Sequence, residues 1–125
     1  MLPILNQTHQ SALFCDMTVF SAEERERHIA AIGQMLAAVN ETQEIADGYA
    51  LRFAPDTAVL LKLAEFIAGE RLCCPFLNFD LRVEAEGGPV WLRLTGPEGV
   101  KEFLRMELSG FGGDVIWEPS RDQAP

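Results

Sequence analysis

The sequence predicts an α+β domain in which three helices pack on a small antiparallel or mixed sheet. Three observations carry that prediction. Apolar residues recur at helical spacing in three stretches, they alternate at strand spacing in others, and the two kinds interleave as helix, strand, helix, strand, strand, helix, with a candidate final strand. Of the 125 residues, 48% are hydrophobic and 23% charged, a balance that buries one core without metal or disulfide staples. A single domain over residues 1–125 is expected, loosely specified only near 1–12 and 119–125.

The first helix opens in "FSAEERERHIAAIGQMLAAVNE", where Ser21 and Glu24 have capping-box spacing and each side chain can satisfy a backbone donor of the first turn. Ile29, Ile32, Leu36 and Val39 recur on one face, predicting a helix from Ala22 to Asn40. In "QEIADGYALRFAP", Tyr49, Leu51 and Phe53 alternate with Ala50 and Arg52, the pattern of a half-buried strand. Pro55 and Asp56 mark the turn into a second helix, with Asp56 as its cap and Val59, Leu60, Leu63, Phe66 and Ile67 as its apolar stripe. Pro75 pushes the residue before it out of helical conformation, so this helix ends near Cys73 or Cys74. Two runs, Leu77 to Glu84 and Val90 to Thr95, flank "AEGGP" and read as an antiparallel hairpin with a glycine turn. "TGPEGVKEFLRMELSG" sets Pro97 just inside a third helix and Gly110 just past its end, with Val100, Phe103, Leu104 and Leu108 as its stripe. "DVIWE" is the candidate final strand.

Composition narrows the function classes. A net charge of -9 disfavours nucleic acid and anionic membranes, both of which need a positive field. No apolar run approaches the roughly 18 residues of a membrane span, because Lys62, Glu65 and Glu70 interrupt the longest one. "MLPILNQTHQ" has neither a basic region nor a small-residue cleavage site, so the expected location is the cytoplasm. Thiols stay reduced there, and three cysteines, an odd number, are poor evidence for structural disulfides. A homodimer is expected, because a short sheet carrying Tyr49, Phe79 and Trp91 has more apolar surface than three such helices cover.

The string "GERLCCPFLNFDLRVEAEGGPVWLRLTGPEGVKEFL", with "CDMTVFSAEERERH" and "DGYALRF", resembles a family of small uncharacterised bacterial proteins. That family shares an E-R-x-C-C-P-F segment and a later L-T-G-P-x-G-V motif, and the resemblance spans roughly residues 14–104. It points to Cys15, His28, Glu70, Arg71, Cys73, Cys74 and Pro75 as the positions that matter, and brings no activity with it.

Chemistry gives those positions weight. In helical projection Glu70 falls between Val59 and Leu63, and Cys74 between Leu63 and Ile67, so a carboxylate lies in an apolar stripe one turn from a cysteine. A buried carboxylate needs a partner, a proton or a metal; the alternative is that the helix frays and Glu70 reaches solvent or bonds Arg71. Cysteine fills cores as a small hydrophobe, yet the adjacent side chains of Cys73 and Cys74 face different ways, which makes a poor pair of core fillers. A helix C-terminus disfavours thiolate, although Arg71 offsets this, so a metal ligand or a passive residue is favoured over a fast nucleophile. His28 projects onto the apolar side of the first helix, where it is either a satisfied core residue or a ligand, and Cys15 lies just upstream of that helix. "TGPEG" lacks the glycines and lysine of a phosphate loop.

Two readings follow. In one the chain binds a soft metal or metalloid, zinc or a thiophilic ion, with Cys73, Cys74, Cys15, His28 and Glu70 as the candidate ligands and no turnover. In the other it is a metal-free interaction or small-ligand domain in which the cysteines are structural. Catalysis ranks third, since Glu70 and His28 can act as acid and base but no substrate site is recognisable. The metal reading requires the first two helices to bring His28 and Cys15 to the Glu70–Cys74 end.

Overall fold

A computed structural model describes residues 13–111. The elements are α1 (Ala22–Ala37), β1 (Glu41–Ile45), β2 (Gly48–Phe53), α2 (Thr57–Cys73), β3 (Asn78–Val83), β4 (Val90–Thr95) and α3 (Val100–Ser109), preceded by a 3-10 turn at Met17–Val19. This is the expected α+β order, and the sheet is wholly antiparallel, arranged β1-β2-β4-β3. The candidate strand "DVIWE" lies outside the described residues.

Local chemistry starts each helix. The Ser21 backbone N–H donates to Glu24 Oε1 at 2.8 Å and the Glu24 N–H donates to Ser21 Oγ at 3.2 Å, completing the capping box. Asp56 Oδ1 accepts from the Ala58 N–H at 2.7 Å, as its position before α2 requires. α3 starts three residues later than Pro97 suggests. The chain first turns through Gly99, whose φ of 95° is open to glycine and costly to other residues, and Val100 opens the helix.

One strand more than expected lies between α1 and α2. Glu41–Ile45 pairs with β2 in register Glu41↔Arg52 to Ile45↔Gly48, so "QEIADGYALRF" is a hairpin rather than one strand. The core lies on one face of the sheet. Tyr49, Leu51 and Phe53 of β2 stand opposite Leu94, Leu92 and Val90 of β4, and all six are buried. Leu63 and Phe66 of α2, Ile32, Met35 and Leu36 of α1, and Leu104 and Leu108 of α3 close over them. Burial of a large aliphatic or aromatic side chain contributes about 1.5–3 kcal/mol, so this cluster dominates stability. Ile29, placed in the buried stripe by spacing, is 41% exposed, and Met35 and His28 take the inner face instead. β3 is an edge strand on which Leu81 and Val83 are exposed.

α1 packs against α2, and the 3-10 turn packs on α2 as well. The Asp16 N–H donates to the Cys73 carbonyl at 2.9 Å, which fastens the segment before α1 to the last turn of α2. This contact sets the site geometry: it brings Cys15 to the cysteine doublet by backbone hydrogen bonding.

Candidate metal centre

α2 runs out at Cys73, and Cys74 caps it with φ −128° and ψ 70°, its N–H still donating to the Glu70 carbonyl at 2.8 Å. Both residues are fully buried, Cys73 as the last helical residue and Cys74 as the cap. The doublet therefore does fill the core with both side chains, their sulfurs 3.8 Å apart, against the expectation that it makes a poor pair of core fillers.

Glu70 is also buried, at 1% exposure, and does not fray toward Arg71, which is exposed. Its Oε1 lies 2.8 Å from His28 Nε2, a buried charged or charge-assisted pair between α1 and α2. The His28 ring is held between Phe20 and Phe66, at centroid distances of 5.2 and 6.2 Å. Its edge runs against Gly69, where any Cβ would collide with the ring, so the bare backbone of Gly69 admits the histidine. A small cleft between α1 and α2, lined by Phe20, Arg27, His28, Glu65 and Gly69, opens onto the outer side of that ring.

Around Glu70 the three sulfurs converge. Cys74 Sγ lies 3.3 Å and Cys15 Sγ 3.9 Å from Oε2, while Cys73 Sγ lies 3.7 Å from Oε1, 3.7 Å from His28 Nε2 and 3.8 Å from Cys74 Sγ. One ligand atom from each of Cys15, Glu70, Cys73 and Cys74 lies within 4.8 Å of all the others. All five sequence-predicted residues are therefore together. His28 joins the group through Glu70 and Cys73, and the mutually close set consists of the three cysteines and the carboxylate. Pro75 follows the cap and Arg71 is exposed.

Cys15 and Cys74 are joined as a disulfide, and Cys73 is the free cysteine. This corrects the expectation that the thiols stay reduced and that three cysteines are poor evidence for a structural disulfide: the two partners are 59 residues apart, and the Asp16–Cys73 backbone bond makes them neighbours. Burial first, and then the negative charge of Glu70, push the Cys73 thiol from 9.0 up to about 12. Glu107, on α3, was missed by the sequence reading. Its carboxyl is held above the ordinary value by partial burial and, second, by Glu70, and its own charge adds to the field on Cys73. The sulfurs thus sit in a negative environment, which suits a cation. Its signal was present in the sequence, because Glu107 follows Leu104 by three residues and adjoins Leu108.

The raised thiol makes a pH prediction. A group titrating higher in the folded state stabilises fully below its unfolded value, and that contribution is lost as pH rises through the folded value. Relative to Cys73→Ala, wild-type stability in urea is expected to hold steady to about pH 9 and to fall from there toward about pH 12. A difference between the two proteins that stays flat up to pH 11 would contradict the assignment.

"TGPEG" borders a cleft at the start of α3, but Glu44, Asp47, Glu98 and Glu102 line it and Lys101 is engaged with Glu44 at 2.7 Å. That lining disfavours an anion. Among the described residues no helix is long and apolar enough to cross a membrane. No family model matches the chain, and no curated protein or solved structure matches it either.

Proposed function

We propose that the reduced protein binds one soft, thiophilic cation through Cys15, Cys73, Cys74 and Glu70, with His28 orienting the carboxylate. The observation that carries this reading is spacing. A tetrahedral ion with bonds of about 2.3 Å to sulfur and about 2.1 Å to oxygen sets its ligand atoms roughly 3.6–3.8 Å apart. The Cys73–Cys74 sulfurs are 3.8 Å apart, and Glu70 lies 3.3 and 3.9 Å from Cys74 and Cys15 through Oε2 and 3.7 Å from Cys73 through Oε1. Such a site asks only that the Cys15–Cys74 bond open and its sulfurs move apart. Three thiolates favour zinc, cadmium, mercury(II) or copper(I) over hard cations. The carboxylates of Glu70 and Glu107 favour a cation over an oxyanion. The His28–Glu70 bond acts as a metal ligand's supporting hydrogen bond does, fixing the donor's orientation.

Protein purified with reductant is expected to take up one equivalent of cadmium or zinc, lost when Cys73 and Cys74 are both changed to Ser. Full titration of three thiols with no metal retained supports the metal-free domain instead.

A homodimer is a further proposal: two-fold pairing of β3 edges would cover Leu81 and Val83. Light scattering at micromolar concentration that returned only 13.9 kDa would refute it.

A further inference from the structure

We propose that Cys15 and Cys74 form a reversible dithiol–disulfide couple that gates this centre, entered by external thiols at Cys15. The gating half rests on the proposed metal site; the couple itself does not. The disulfide takes two of the three sulfur donors, leaving Cys73 and Glu70, so the oxidised chain has too few donors for a soft ion. Exposure is unequal across the bridge. Cys15 is part-exposed beside Phe14, which is 58% exposed, whereas Cys74 and Cys73 are fully buried. The part-exposed Cys15, rather than the fully buried Cys74, is therefore the side of the bridge that a small thiolate meets.

Reduction runs in two exchanges. A low-molecular-weight thiolate attacks Cys15 Sγ, a new S–S bond forms there, and the Cys15–Cys74 bond breaks with Cys74 leaving as the thiol after taking a proton. A second thiol molecule attacks the mixed disulfide, releasing Cys15 as a thiol and the small molecule as its disulfide. In sum, two small thiols become one small disulfide and the protein gains two protons and two electrons. Oxidation by a small disulfide reverses each step. Separation does not follow reduction, because the Asp16 N–H to Cys73 carbonyl bond at 2.9 Å holds Cys15 near its partners without the bridge. Cys73 stays out of the exchange because it is fully buried, where an external thiol does not reach it.

The test uses the full chain poised with reduced or oxidised glutathione and mapped by peptide analysis, then desalted anaerobically to remove the glutathione before cadmium titration followed by the ultraviolet sulfur-to-cadmium band. Oxidised protein is expected to show a Cys15–Cys74 linkage with Cys73 as the one alkylatable thiol after denaturation, and no cadmium band. Reduced protein shows the band at one equivalent. In Cys74→Ser, glutathione is expected on Cys15; in Cys15→Ser, Cys74 stays unmodified. A linkage containing Cys73, or modification of Cys74 in Cys15→Ser, overturns the couple as assigned. Bands of equal strength in both redox forms overturn the gate and leave the metal reading standing. Absence of a band in both overturns the metal reading and the gate, while the map still decides the couple.

Discussion

Reducing the Cys15–Cys74 disulfide is expected to cost about 4 kcal/mol of unfolding free energy, the chain-entropy value for a loop of roughly 60 residues. The residues are 59 apart, so the bridge ties the segment before α1 to the far end of α2 across two elements of the sheet. Against a domain stability of about 5–15 kcal/mol this is a large fraction, equivalent to roughly 15 °C in Tm for a chain of this size. Cadmium should reverse it. A ligand at about 1,000 times its Kd adds about 4 kcal/mol to the folded state, enough to offset the lost bridge. Calorimetry of oxidised, reduced and reduced-plus-cadmium protein should therefore give Tm values in the order high, low, high. Equal Tm values for the first two would show that the bridge does not constrain the unfolded chain.

The second large effect belongs to the His28–Glu70 pair. Removing the partner of a buried carboxylate typically costs about 3–5 kcal/mol, because the carboxylate is left buried without a partner. His28→Leu is expected to fall in that range, since the nearest alternative contacts of Glu70 are sulfurs. Replacing both, as His28→Leu with Glu70→Met, should cost much less than the sum of the single changes. Urea unfolding of the four proteins in the cycle measures the difference, and strict additivity would mean that the two residues do not interact.

Much of the frame was legible because short-range chemistry decides it. Ser21 with Glu24, Asp56 and the 3.6-residue stripes of α2 and α3 act within one or two turns, and the hairpin around "AEGGP" is a local turn signal. β1 was not legible. "ETQEI" is a polar edge strand with no buried residue, so it carries no apolar alternation and is defined only by its ladder to β2. Ile29 was misplaced because spacing gives a face but not which side of it a neighbouring helix covers; α2 packs over His28 and Ile32 instead. The site was legible as a set and not as a geometry. Two polar residues on apolar faces, His28 and Glu70, imply each other, since each needs a buried partner. The bridge gave no such signal, because connectivity among three cysteines depends on a tertiary contact, here the Asp16 N–H to Cys73 carbonyl bond.

The central claim is that Cys15, Cys73, Cys74 and Glu70 are the donors of one soft-cation site. X-ray absorption at the metal edge of the reduced, zinc-loaded protein reads that donor set directly. The claim predicts three sulfurs at about 2.3 Å and one oxygen at about 2.0–2.2 Å, with the sulfur count falling to two in Cys15→Ser. A first shell of only nitrogen and oxygen, or a sulfur count that Cys15→Ser leaves unchanged, would contradict it.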